Sequence, residues 1–191
     1  MSDPSHGYDA RADAFVEARS RVGEGVVRSW ASSLPGRAEV LELACGAGVP
    51  VSEVLLAAGC RLWAVDASPR LLALHRARFP EAVTARQDVR DGDLFAREFD
   101  AVVAVGLLFL LSEAEQRALL ARVAGRLRPG GRLLFSAPEE VGAWDDVLTG
   151  LVSRSLGREA YAGAMEAAGL TMGGSLRDAG GNHYYTACRP G

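Results

Sequence analysis

Three carboxylates stand at the ends of successive short apolar runs: Glu42, Asp66 and Asp88. Between the first two lie Gly46 and Gly48, within Val40-Leu41-Glu42-Leu43-Ala44-Cys45-Gly46-Ala47-Gly48-Val49-Pro50. Glycines in such a turn let the chain bend sharply and let a ligand approach the backbone. The helix expected next offers free N–H groups and a positive dipole end to an anion. Asp66 ends the second run, where a carboxylate accepts hydrogen bonds from ribose hydroxyls. Asp88 follows the third, where a carboxylate accepts from an adenine amino group. A lone Gly-x-Gly is a weak signal, and each acid taken singly is equally a helix cap or a solvated loop residue. Three acids after three consecutive strands of a parallel sheet share the edge where ligands bind.

Those positions require a particular order of elements. Apolar residues Phe15, Val22, Val26, Val27 and Trp30 fit helical spacing between Tyr8 and Ser33, broken near Gly23 to Gly25. Residues 1–7 are expected to be disordered, and 8–33 to form a helical lid. Strands are expected over Glu39–Ala44, Leu62–Val65, Ala82–Arg86, Ala101–Val105 and Arg132–Ser136. Helices are expected over Pro50–Ala58, Pro69–Arg78 and Ser112–Leu127, the last opening with a capping box. Residues 138–155 carry no clear pattern. A helix follows over Arg158–Ala168, then Leu170–Leu176 and His183–Cys188 as a hairpin around a Gly-Gly-Asn turn. Alternating strands and helices mean a parallel sheet with right-handed crossovers. The fold expected is Rossmann-like α/β: doubly wound, seven-stranded and mostly parallel, with an antiparallel C-terminal hairpin strand, in one domain spanning 1–191.

Composition narrows the partners. The 191 residues hold 21 basic against 24 acidic side chains, a net charge of −3. Such a chain is a poor polyanion binder, so no nucleic acid is expected. Every basic side chain other than histidine is arginine, which excludes a catalytic lysine. The cysteines Cys45, Cys60 and Cys188 are unclustered, which points to a reducing compartment and no metal. No apolar run is long enough for a membrane helix. The expectation is a soluble, cytoplasmic monomer or homodimer.

These segments resemble the class I S-adenosylmethionine-dependent methyltransferases, of the small stand-alone type acting on small molecules. Leu41 to Pro50 resembles their first motif, and Ala64-Val65-Asp66-Ala67-Ser68-Pro69 their acidic second-strand motif. Arg86-Gln87-Asp88-Val89 resembles the adenine-binding segment, and Phe99 to Val103 and Leu127 to Phe135 the later strands. The resemblance implies S-adenosylmethionine as cofactor, S-adenosylhomocysteine as product and no metal. It implies cofactor contacts from Arg19, Glu42, Gly46, Ala47, Gly48, Asp66, Ala67, Ser68, Asp88, Val89 and Gly106. The glycine turn and helix start would take the cofactor carboxylate, with Glu42 favouring its ammonium. Ala44 stands where many relatives have glycine. Pro50 replaces the third glycine of a dinucleotide fingerprint, which disfavours NAD(P). Gly106 to Leu111 is apolar where many relatives are polar, so no base is carried over from that edge.

The acceptor is expected to be a small molecule methylated on N, O or S. Substrate contacts are assigned to Tyr8, Phe15, Phe109, Trp144, Asn182 and His183, with His183 as the candidate base. A base is needed only if the acceptor arrives protonated, and in-line positioning can supply much of the rate. As alternatives, Asn182 and His183 are ordinary turn residues, Arg19 is a surface arginine, His75 lies on a helix surface, and Glu139, Glu140, Asp145 and Asp146 are a solvated acidic loop. One of Tyr184 and Tyr185 should face the core. The rival functions are a non-catalytic cofactor-binding sensor or partner subunit, and an NAD(P)-dependent oxidoreductase.

Overall fold

The structure, a computed structural model, describes residues 3–191. Seven strands form one sheet: β1 (Glu39–Leu43), β2 (Arg61–Asp66), β3 (Val83–Arg86), β4 (Phe99–Ala104), β5 (Leu127–Ser136), β8 (Thr171–Arg177) and β9 (His183–Cys188). Their spatial order is β3-β2-β1-β4-β5-β9-β8. The first five pair in parallel, and β9 runs antiparallel between β5 and β8. This is the expected sheet. The order reverses beside β1, whose neighbours are β2 and β4, and such a switch point is where open α/β sheets bind ligands.

Helices cover both faces. Helices α2 (Glu24–Ala31), α3 (Val51–Ala57) and α4 (Pro69–Arg78) contribute Trp30, Leu55 and Leu72 to one core layer. Helices α5 (Glu113–Ala124) and α6 (Arg158–Ala167) contribute Leu120 and Tyr161 to the other. A sheet covered on both faces buries both side-chain rows of its central strands. Tyr184 and Tyr185 therefore both lie in cores, one in each layer, rather than one inside and one out.

Local chemistry sets the helix starts. The Ser68 hydroxyl accepts from the Leu71 N–H, and Pro69 takes the first turn of α4, where a missing N–H costs nothing. Ser112 and Glu115 form the reciprocal capping box of α5.

Three departures from expectation bear on the site. Residues 3–7, expected to be disordered, form turns: the Asp3 carboxylate accepts from the Ser5 and Gly7 N–H groups, and the chain turns on into α1 (Ala12–Ala18). Met1 and Ser2 lie outside the described residues. The patternless stretch after β5 contains a second, two-stranded sheet, β6 (Val141–Asp145) paired antiparallel with β7 (Val152–Leu156). Strand β5 also starts earlier than expected, at Leu127, with a shift of register against β4 at Phe99 to Ala101. No helix among the described residues is long and apolar enough to cross a membrane.

Candidate active site

The C-terminal ends of β1, β2 and β4 and the segment after β3 surround a cavity of about 210 Å³. The N-terminal segment closes it from the other side with Ser5, Tyr8, Phe15 and Arg19. Of the residues expected to contact the cofactor, Glu42, Gly46, Asp66, Ala67, Val89 and Gly106 line it. A second chamber, of about 410 Å³, adjoins it and shares Arg19, Val105, Gly106 and Phe109 with it. Its wall adds Ser136, Glu139, Glu140, Trp144, Asn182 and His183. Its size is that of a small-molecule site.

The turn after β1 spends its donors internally. The Cys45 N–H donates to the Val65 carbonyl, the Gly46 N–H to Asp66 Oδ2, and the Gly48 N–H to the Cys45 carbonyl. Those three N–H groups are engaged within the protein. Gly46 and Gly48 have φ of 55° and 84°, which suits glycine. What needs the space is protein: a Cβ on Gly46 would meet Phe15, and one on Gly48 would lie 2.4 Å from the Phe79 ring and 2.9 Å from His75. Accordingly, Gly48 does not line the main cavity, and neither does Ala47.

The cation that faces the cavity is Arg19. Its Nε donates to the Val49 carbonyl at 2.9 Å, and no carboxylate forms an ion pair with it among the described residues. Burial lowers its pKa, partly offset by the Glu42 carboxylate. It is a lining residue of both chambers, not a surface arginine.

Glu42 is 3% exposed. Burial lifts its pKa to about 8, against the Ser52 hydroxyl bond and the Arg19 charge, which lower it. A carboxylate in this position calls for a cationic partner. Asp66 is buried too; burial raises its pKa while the Ser68, Gly46 and Ala67 N–H groups pull it down. Its oxygens accept from Gly46 and Ser68 at 2.8 Å each, leaving further lone pairs for hydroxyl donors.

Two expected cofactor residues stand elsewhere. The Asp88 carboxylate accepts from Arg90 Nε and Nη2 and does not line the cavity; Gln87 and Val89 line it instead. An arginine two residues on has taken the acid's hydrogen-bonding capacity. Ser68 caps α4, and its hydroxyl donates to Asp9 at 2.6 Å, so it supports the lid rather than the cavity wall.

In the second chamber Phe109 and Trp144 pack with ring centroids 5.7 Å apart. Asn182 is a turn residue, its amide donating to Asp178. His183 is 4% exposed, and neither ring nitrogen has a hydrogen-bond partner or open surface. Its ring lies edge-on to Tyr185 at 4.4 Å, and Glu139 Oε1 is 4.0 Å from Nε2. Burial keeps the imidazole neutral by lowering its pKa. The ring forms part of the wall but does not present a nitrogen to the chamber, so the structure does not supply the expected base. Of the acidic loop, Glu139 is paired with Arg158 and Arg177, and Asp146 accepts from Tyr8; Glu140 has no ion pair among the described residues.

Sequence reading missed Ser52 and His75. Both are fully buried beside Glu42, and His75 is not on the helix surface. Among the described residues, no group of three or more His, Cys, Asp or Glu side chains is placed to hold a metal ion.

Known proteins share this architecture. Residues 40–131 match a family model described as a methyltransferase domain. The fold is similar to that of the CcbJ methyltransferase from Streptomyces caelestis, with a TM-score of 0.81 at 17% identity over 100% of both chains. It is similar to an amino pentose methyltransferase from Micromonospora echinaspora, solved with S-adenosylmethionine bound: TM-score 0.73, 22% identity, 94% of this chain and 96% of that one. It is also similar to magnesium protoporphyrin IX methyltransferase from Synechocystis PCC 6803, solved with the same cofactor: TM-score 0.75, 15% identity, 99% and 98% covered. No curated protein matches the sequence. Residues 40–131 thus resemble a methyltransferase domain, and the chain as a whole shares the fold of these methyltransferases.

Proposed function

We propose that this chain transfers a methyl group from S-adenosylmethionine to an amino group of a small, partly apolar acceptor. The carrying observation is the pair of adjoining chambers, which share Arg19, Val105, Gly106 and Phe109. A methyl donor in one and an acceptor in the other meet at that shared wall.

The donor side fits the cofactor's chemistry. Glu42 is a buried carboxylate suited to an ammonium, Arg19 a half-buried cation suited to a carboxylate, and Asp66 an acceptor suited to ribose hydroxyls. The cofactor supplies an already activated methyl, so what remains for the protein is to hold the acceptor in line and keep water out. Tyr8 and Phe15 stack edge to face, with centroids 5.6 Å apart, as part of the cover that does the latter.

On the acceptor side, Glu140 is an acid without an ion pair among the described residues, and Phe109 and Trp144 offer ring faces that attract cations and apolar surface. An amine is drawn in as a cation and reacts once its proton is lost. His183 presents no ring nitrogen to the chamber, which suits an amine that loses its proton to solvent better than an alcohol. Relatives of the same fold include the amino pentose methyltransferase and a glycopeptide N-methyltransferase solved with S-adenosylhomocysteine.

Radiolabelled methyl transfer tests the reading, using matched amine and alcohol panels of small aromatic and sugar acceptors. Labelling of amines, with KM raised several-fold by Glu140→Gln, is expected. Labelling of alcohols alone would overturn the amine assignment. Tight S-adenosylmethionine binding without turnover on any acceptor would favour a sensor or partner subunit.

A further inference from the structure

Behind Glu42 lies a buried polar chain. The Ser52 hydroxyl on α3 is hydrogen-bonded to Glu42 Oε2, and the same oxygen lies 2.9 Å from His75 Nε2 on α4. Ser52 and His75 are each 0% exposed. His75 Nδ1 is buried without a partner. Burial lowers the His75 pKa to about 4, so the ring is neutral at neutral pH and carries a proton on one nitrogen only.

The proton directions follow. An ionised Glu42, as a cationic ligand requires, can only accept. The Ser52 hydroxyl has one proton, and it goes to Glu42. The contact with His75 is then a bond from Nε2–H to Ser52 Oγ, which leaves Nδ1 bare. The tautomer with the proton on Nδ1 would bury an unpaired N–H and face Ser52 with two acceptors. The chain therefore runs from His75 to Ser52 to Glu42 and ties up one carboxylate oxygen, holding the carboxylate by a strut anchored on two helices.

The strut is clamped in place. Gly48 lets His75 and Phe79 press against the turn, and the His75 ring packs on Phe79 with centroids 5.2 Å apart. His75 thus reaches from α4 under the turn to brace Glu42, a buried acid that, unlike Asp66, accepts from no backbone N–H among the described residues.

Resting on the cofactor reading above, we propose that Ser52 and His75 are positioning residues for the amino-acid end of the cofactor: they fix Glu42 so that its carboxylate meets the ligand ammonium. They touch neither the ribose side nor the acceptor chamber.

The test compares S-adenosylhomocysteine, which carries the ammonium, with 5′-methylthioadenosine, which lacks the amino-acid end. Calorimetric titrations are run on wild type, Ser52→Ala, His75→Leu and His75→Gln, each checked for folding by circular dichroism. Ser52→Ala and His75→Leu are expected to weaken S-adenosylhomocysteine by tenfold or more while leaving methylthioadenosine within twofold. His75→Gln, whose amide can donate to Ser52, is expected to stay close to wild type. Equal weakening of both ligands would reduce the chain to a packing role and overturn the proposal, as would unchanged S-adenosylhomocysteine binding in folded Ser52→Ala. If Ser52→Ala does not fold, His75→Leu against His75→Gln decides. Failure of the wild type to bind either ligand would instead remove the cofactor reading, and this proposal with it.

Discussion

The Tyr8 hydroxyl donates to Asp146 Oδ2 at 2.8 Å, joining residues 138 apart in sequence. Both line the donor cavity, Tyr8 from the N-terminal segment and Asp146 from the end of β6. Burial and the neighbouring carboxylate raise the Tyr8 pKa, so the phenol stays a donor. On the Asp146 side burial raises the pKa, but bonds from Thr149, Tyr8 and Leu148 outweigh it and keep the acid ionised. The bond is a clasp across the cavity mouth.

Removing the clasp should loosen the lid without unfolding the protein. Tyr8→Phe deletes one hydrogen bond to a charged acceptor and keeps the ring contact with Phe15, a loss of about 1.5–3 kcal/mol at most. Stopped-flow measurement should find faster S-adenosylhomocysteine release and little change in the unfolding midpoint. An unchanged release rate would show that the lid is held by its other ties, Ser68 and Arg70 on Asp9, Arg70 on Asp13 and Arg19 on the Val49 carbonyl.

Asp66 should matter to both fold and ligand. In Asp66→Asn one of two acceptors becomes an NH2 group, facing either the Gly46 or the Ser68 N–H. A buried donor left unsatisfied costs about 1–3 kcal/mol. Urea denaturation should show that loss, and calorimetry a weaker adenosine-containing ligand. Full ligand affinity in the variant would refute the ribose assignment.

The pH dependence of stability separates Glu42 from His75. Glu42 has a folded pKa of about 8 against a reference of 4.5. The folded state keeps its proton while the unfolded state loses it, so the contribution falls as pH rises from 4.5 to 8. His75, at about 4 against 6.5, works in reverse: its contribution rises between pH 4 and 6.5 and is level above that. The two oppose each other between 4.5 and 6.5, and only Glu42 acts between 6.5 and 8. Thermal melts without ligand should show a decline over that upper window. Glu42→Gln should flatten it, and a slope surviving the substitution would assign it to another group.

Gly48→Ala should be destabilising by about 1–3 kcal/mol, because the new methyl enters packed space at a left-handed φ. Gly36→Ala, with nothing within 4 Å of its Cβ position, is the control. Equal unfolding midpoints for the two would mean that Phe79 and His75 yield easily.

The parallel sheet was legible because buried strands read as apolar runs between turn residues, and Glu42 and Asp66 stood at their ends. Hairpin β6–β7 was not, because all five residues of β6 are exposed and its sequence shows no alternation. His75 was misplaced for a related reason. Helix α4 carries arginines at positions 70, 76 and 78, and a histidine among them looks solvated until Ser52 is known to be opposite. Asp88 sits where an adenine-binding acid belongs, but a sequence does not show that Arg90 folds back onto it. His183 lines the second chamber; what spacing leaves open is which way a ring turns once Tyr185 packs against it.

Hairpin β6–β7 pairs with no strand of the main sheet. It is anchored through the Arg154 carbonyl, which accepts from Gln116, and the Leu156 N–H, which donates to Tyr161. Its ladder closes on itself, so residues 141–156 form a cassette: a lineage can lengthen, shorten or replace it without disturbing the register of any other strand. Trp144 rides on that cassette, whereas Glu42 and Asp66 do not. Change at the Trp144 wall of the second chamber thus falls on a stretch of chain separate from Glu42 and Asp66, although Asp146 of the same cassette also lines the first cavity.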